Sequence, residues 1–167
     1  RIAGTAGYMA LALHSLGIAS IILSSVGNDE YGDFLVEALL KRGLETQGIV
    51  KLPNQQTCVG FVIVHKDGSR AITTVSGAHD YFDLKMYHKN KHLLSECEEI
   101  VICGTYLLPK FSVEDALVVA KEQRALGKKI YFDPSWDPNG WSKMTVSQTL
   151  EILKYVDVYM PNETKIC

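Results

Sequence analysis

The sequence predicts an α/β fold with a mostly parallel sheet, and three observations predict it. From residue 98 onward, β-rich and helical segments alternate in short units. That is the rhythm of parallel strands joined by right-handed crossovers. "IASIILSSVG" (18–27) is a near-continuous apolar run, as expected of a strand covered on both faces. Glycines follow helical segments at positions 17, 43 and 127, the usual place just past a helix end.

Taken in order, the chain opens on a turn with two glycines, Gly4 and Gly7, that runs into a helix over 6–16. The strand 18–27 comes next. "DEYGDFLVEALLKRG" follows, with Tyr31, Phe34, Leu35, Ala38 and Leu39 at helical spacing; Asp29 caps and Gly32 starts this helix. "CVGFVIVH" and "SRAITTVS" read as strands, and the Asp67-Gly68 pair between them suits a tight hairpin turn. Arg70 then reads as a solvent-facing charge on the second strand. A polar helix rich in His and Lys spans about 84–96. "EIVICG" is a strand. "SVEDALVVAKEQRALG" is a helix with Ser112 at its N-cap and Asp115 three residues on. "KIYFD" is a strand, 145–155 a helix and "VDVYMPN" a strand. The hairpin stands outside the parallel rhythm and is expected to cover one edge of a site or form a small lid. Trp136 and Trp141 are expected to cover the edge of the core.

Composition narrows the function. The chain has 167 residues, 47% of them hydrophobic, enough for one domain's core. A net charge of -2 argues against a nucleic-acid partner. No apolar run reaches the roughly 18–20 residues that span a bilayer, and no signal peptide is visible. The four cysteines form no C-x-x-C pair and read as reduced thiols, Cys103 on a core strand, which implies a cytoplasmic protein. The five histidines are scattered, so no metal site is expected. A P-loop, H-E-x-x-H and G-x-S-x-G are absent.

In an open parallel sheet, ligands bind beyond the carboxyl ends of the strands. Three such ends carry Gly104, Asp133 and Asn162, equally spaced along the chain. They are expected to share one rim of the sheet and to face the first glycine turn. Turn formation at Asp133-Pro134 and Pro161-Asn162 is the other reading of the same residues. The first turn has two readings as well. Small residues let a ligand approach the backbone, and the helix start offers free N–H groups. A dinucleotide-binding loop would need G-x-G-x-x-G and an acid roughly 20 residues on. The chain has only Gly4-x-x-Gly7, and Asp29 serves equally as a helix cap.

Several stretches, in the right order, resemble the ribokinase-like (PfkB-type) carbohydrate kinases. They are "AGTAGYMA" with Gly17 and Gly27 at set distances, "VGNDEYGDFL", "TCVGFVIVHKDGSRAITTVSGA", "VICGTYLLP", "IYFDPSWDPNGW" and "VDVYMPNETK". The resemblance implies a three-layer α/β/α sandwich with a mostly parallel sheet and a small β lid. It implies transfer of the ATP γ-phosphoryl group to a hydroxyl of a small-molecule sugar, with Mg²⁺. Gly4, Thr5, Tyr8, Gly104 and Thr105 are then the candidate acceptor contacts; for Tyr8, packing is an equal alternative. Asp133, Asn162 and Lys165 lie toward phosphate and Mg²⁺. The family's G-A-G-D stretch, with its catalytic carboxylate and anion hole, would lie beyond Cys167, so no catalytic residue is assigned. Residues 1–167 are read as one partial sugar-kinase domain, truncated and inactive alone, with a hairpin at about 57–76 contributing to the lid.

Three departures stand out. Tyr8 replaces the family's Asn, Ser135 and Asp137 replace its Asn and Arg, and Lys165 replaces its Glu. A phenol hydrogen-bonds with different geometry from an amide, and losing a cation removes a clamp on phosphate. These changes keep a non-catalytic sugar-binding or regulatory relative as the alternative. A lid sheet can also pair with another subunit's lid, which admits a homodimer.

Overall fold

The computed structural model describes residues 2–138 and 140–161. The chain divides into two compact units, Arg1–Phe82 and Asp83–Cys167. In the first, α1 (Thr5–Ser15) leads to β1 (Ser24–Gly27), α2 (Glu30–Leu40) and β2 (Ile49–Leu52). Strands β1 and β2 run parallel, Ser24 opposite Ile49 and Gly27 opposite Leu52. Ile2, Ala10, Ile22, Ala38, Leu39 and Leu44 bury together beside them.

The apolar run 18–27 is only partly a strand. Its first half meets the chain through a single bridge, Ile21 to Glu45, because β2 does not begin until Ile49. Ile22 is buried all the same. It is the only buried residue of 18–23, and Ile18 is exposed, so apolar character here reports neither full burial nor a ladder partner. β2 itself was not legible: four residues, broken by the exposed Lys51, carry no clear period.

The predicted hairpin is present. β3 (Val59–Val64) and β4 (Arg70–Val75) pair antiparallel, with Val59 opposite Val75 and Val64 opposite Arg70. At the turn, Asp67 accepts from the Ser69 N–H at 2.9 Å and the Ser69 hydroxyl at 2.7 Å. All of β4 and most of β3 are exposed, Arg70 included.

In the second unit α3 (Leu84–Asn90) is capped by Asp83 and tightens into a 3-10 turn over Lys91–Leu94, shorter than the helix expected to 96. Then come β5 (Glu99–Cys103), α4 (Val113–Ala125), β6 (Lys129–Asp133), α5 (Lys143–Leu153) and β7 (Val158–Tyr159). The sheet order is β5-β6-β7, parallel throughout. Ile100, Ile102, Ile130 and Phe132 bury its centre, and α4 packs against β5, β6 and α5.

The helix starts have local causes. Ser112 and Asp115 form a reciprocal capping box on α4. Ser142 Oγ accepts the Thr145 N–H at 3.1 Å and starts α5 two residues earlier than expected. Arg124 and Asp157 tie the end of α4 to the start of β7 at 2.9 Å, and Asp157 also accepts the Ile130 N–H at 2.8 Å. Those two bonds hold the Asp157 carboxyl below its ordinary value, the backbone bond first.

Candidate functional site

In the first unit, Gly4 takes φ +88 and sits where a side-chain cap would stand; α1 starts without one. A Cβ at Gly4 would meet nothing within 4 Å, so its positive φ, not crowding, favours glycine there. The turn is open to a ligand, and the first N–H groups of α1 lack a side-chain acceptor. Thr5 and Tyr8 lie three residues apart on this first turn, on one face of the helix. Tyr8 is 58% exposed, so it does not serve as core packing. Gly7 points the other way, with Ile2 Cγ2 3.2 Å from where its Cβ would be.

In the second unit, the parallel register brings Cys103 opposite Asp133. Gly104, the next residue, turns left-handed at φ +77, and its N–H reaches the Asp133 carbonyl at 3.3 Å. Gly104 and Asp133 thus share one end of the sheet, as the spacing predicts. Asn162 and Lys165 lie outside the described residues. Burial pushes the Cys103 thiol up to about 11, and the Asp133 carboxylate adds to the shift. Asp133 therefore stands close to that strand end.

Thr105 behaves differently from its neighbour. It is 2% exposed, and its hydroxyl has no partner among the described residues. Gly104, by contrast, has open space where a Cβ would go.

The loop after β6 is tightly held. Asp133 Oδ1 accepts the Ser135 N–H at 2.8 Å. Ser135 (φ +61) and Trp141 (φ +57) both adopt the left-handed region without being glycine, a strain found where surroundings over-determine the backbone. Asp137 is 2% exposed and accepts the Trp141 N–H at 3.0 Å. Asp137 is thus a buried brace of the loop. Trp141 packs edge-on against Tyr106, ring centroids 5.2 Å apart. Tyr106 in turn bonds Thr149 on α5, and burial raises its phenol above its ordinary value. Trp136 corrects an expectation: it is 56% exposed and covers no core, because both of its neighbours, Ser135 and Asp137, turn inward.

Sequence reasoning missed Tyr106. Its role depends on contacts with residues 141 and 149, and only its position beside Gly104-Thr105 could have drawn notice.

The family model described as pfkB family carbohydrate kinase matches residues 1–166. An uncharacterized sugar kinase of Pyrococcus horikoshii is 25% identical over 166 residues, 98% of this chain and 53% of that protein. Its ATP complex superposes with a TM-score of 0.79 at 25% identity, over 93% of this chain and 52% of that one. The ribokinase of Haemophilus influenzae is 24% identical over 164 residues, 97% of this chain and 49% of that enzyme. An Escherichia coli protein named provisionally as ribokinase II, solved with ATP and Mg²⁺, gives a TM-score of 0.77 at 25% identity, over 93% and 50% of the two chains. The chain spans about half the length of the relatives it matches. Its fold is theirs, the ribokinase-like α/β fold of helices and mostly parallel sheets.

Proposed function

Because the chain belongs to the pfkB family of carbohydrate kinases, we propose that it is part of an ATP-dependent kinase acting on a hydroxyl of a sugar or sugar-like acceptor. One observation carries the reading: a family match over residues 1–166, with relatives that are sugar kinases and ribokinases. The local geometry agrees with it. Gly4 offers an open backbone turn with Thr5 and the exposed Tyr8 beside it, a polar rim suited to acceptor hydroxyls. Gly104 and Asp133 close a strand end in the place where parallel sheets hold ligands.

The roles follow from these placements. Gly4, Thr5 and Tyr8 contact the acceptor. Gly104 gives it a close backbone surface, and Thr105 is the adjoining candidate contact, its buried hydroxyl unpartnered among the described residues. Asp133 lies toward the phosphate, with Asn162 and Lys165 assigned there by resemblance. The hairpin closes over the acceptor and excludes water, which favours transfer over hydrolysis. It also offers a surface for a second copy of the chain. ATP supplies the γ-phosphoryl group, and the carboxylate that accepts the hydroxyl proton lies beyond this chain. Among the described residues, no three His, Cys, Asp or Glu side chains gather to hold a metal ion. Mg²⁺ is proposed to enter with ATP, as in the ATP and Mg²⁺ complex of the related Escherichia coli protein, and no step is assigned to it on these residues. No helix among the described residues is long and apolar enough to cross a membrane. Free thiols at Cys58, Cys97 and Cys103 suit the reducing cytoplasm.

The test is ADP release by the full-length protein with ATP, Mg²⁺ and a panel of sugars. Sugar-dependent ADP release is expected from it, and none from the 167-residue chain alone. Activity in the bare chain would refute the placement of the base outside it. The buried Asp137 favours a second reading, a sugar-binding relative without phosphotransfer, because it replaces a cation with a structural brace. Sugar binding by calorimetry with no ADP release from the full-length protein would establish that reading instead.

A further inference from the structure

Both feet of the hairpin close on one small knot, which none of the roles above uses. Both oxygens of the Asp29 carboxylate are engaged there. Oδ1 accepts the Gly32 N–H at 2.8 Å and the Thr57 hydroxyl at 2.6 Å, and Oδ2 accepts the Thr57 N–H at 2.7 Å. The Thr57 hydroxyl oxygen accepts in turn the Gly27 N–H at 3.0 Å. Thr57 is 6% exposed and stands two residues before β3.

The other foot returns to the same place. Ala78 N–H donates to the Gln56 carbonyl at 2.8 Å, and Gln56 Nε2 donates to the Ser76 carbonyl at 3.0 Å. The Ser25 hydroxyl donates to the Ala78 carbonyl at 2.8 Å, fastening that foot to β1.

The knot leaves no room for a side chain at three glycines. A Cβ at Gly27 would stand 2.5 Å from Thr57 N, at Gly32 2.2 Å from the Gly27 carbonyl oxygen, and at Gly77 2.4 Å from the Gln56 carbonyl oxygen.

Capping α2 explains only one of these contacts. Ser, Thr or Asn would serve for the Gly32 bond. What needs a carboxylate is the pair of donors on Thr57, a residue far along the chain. Beyond the feet, among the described residues, the hydrogen bonds of 59–75 stay within the hairpin. Its stance is therefore decided at the knot.

We propose that Asp29 is a positioning residue that fixes the hairpin through Thr57, so that β3 and β4 move over the acceptor as one lever. This rests on the kinase reading above. Hydrogen bonds to a charged group are strong, and losing them frees the feet while the rest of each unit keeps its packing.

The experiment uses the full-length protein with Thr57→Val, Thr57→Ser and Asp29→Asn. It reads amide exchange along 58–76, with 99–103 and 129–133 as internal reference, and the KM of acceptor and of ATP. Thr57→Val and Asp29→Asn should speed exchange in the hairpin and raise acceptor KM, each by about tenfold, with ATP KM and reference exchange within about twofold. Thr57→Ser, which keeps the hydroxyl, should stay within about twofold of the parent throughout. Unchanged hairpin exchange in Thr57→Val overturns the proposal. So does faster exchange with unchanged acceptor KM, or equal loosening everywhere. Should Asp29→Asn fail to fold, the Val/Ser pair at Thr57 decides alone. If the parent protein phosphorylates no acceptor, the kinase reading falls, and the exchange data still show whether the clamp exists.

Discussion

Two strand pairs of similar length are held in opposite ways. β5 and β6 pair over five residues with Ile100, Ile102, Ile130 and Phe132 buried between helices and sheet. β3 and β4 pair over six residues, and nearly all of their side chains meet solvent. Backbone pairing is the same in kind, so the difference lies in burial, the dominant favourable contribution to folding. The β5–β6 pair is stable because it is covered. The hairpin is ordered from its feet, where Asp29, Thr57 and three glycines close together.

The largest effect that could break this contrast is in the covered pair. Phe132→Ala should lower unfolding free energy by about 3–5 kcal/mol, read by urea denaturation, because Phe132 is fully buried. Gly32→Ala should cost about 1–3 kcal/mol by the same measurement, since its new carbon meets backbone rather than a flexible side chain. Ser112→Ala removes the capping box of α4 and should cost about 1 kcal/mol. A smaller, graded effect concerns acid. The Thr57 hydroxyl, against a partial opposition from burial and with backbone N–H groups adding to it, holds the Asp29 carboxyl below its ordinary 3.8. Its contribution to stability is thus present above that value and disappears as pH falls through the lower folded value. Hairpin exchange should therefore rise at the acid end before exchange in β5 does, and a simultaneous rise would erase the distinction. Smallest of all, Ile63→Thr on the exposed ribbon should shift stability by no more than about 0.5 kcal/mol. A loss there comparable to that at Phe132 would break the comparison outright.

Much of the fold was legible because its causes are local. Ser112-x-x-Asp115 announces a helix start, and Asp67-Gly68 announces a hairpin turn. The strand ends at Gly104 and Asp133 were legible too, since one βα unit per step returns the chain to the same edge. What escaped depends on distant partners. The single bridge that is all the pairing of 18–23, the strand at 49–52, the brace between Tyr106 and Thr149, and the inward turn of Asp137 are all decided by tertiary contacts. Asp29 shows the divide within a single residue. Its cap on Gly32 is written in the local sequence, and its grip on Thr57 is not.

The ribbon from Val59 to Val75 has a chemical oddity with a practical outcome. Phe61 and Ile63 line one of its faces, Val62 and Ile72 the other, and all four are wetted. Such a blade is greasy on both sides. Sulfate or crowding at high concentration should drive it to seek a dry surface, and dilution should release it. Light scattering across a sulfate series would then serve as a gauge of whether anything is seated against it.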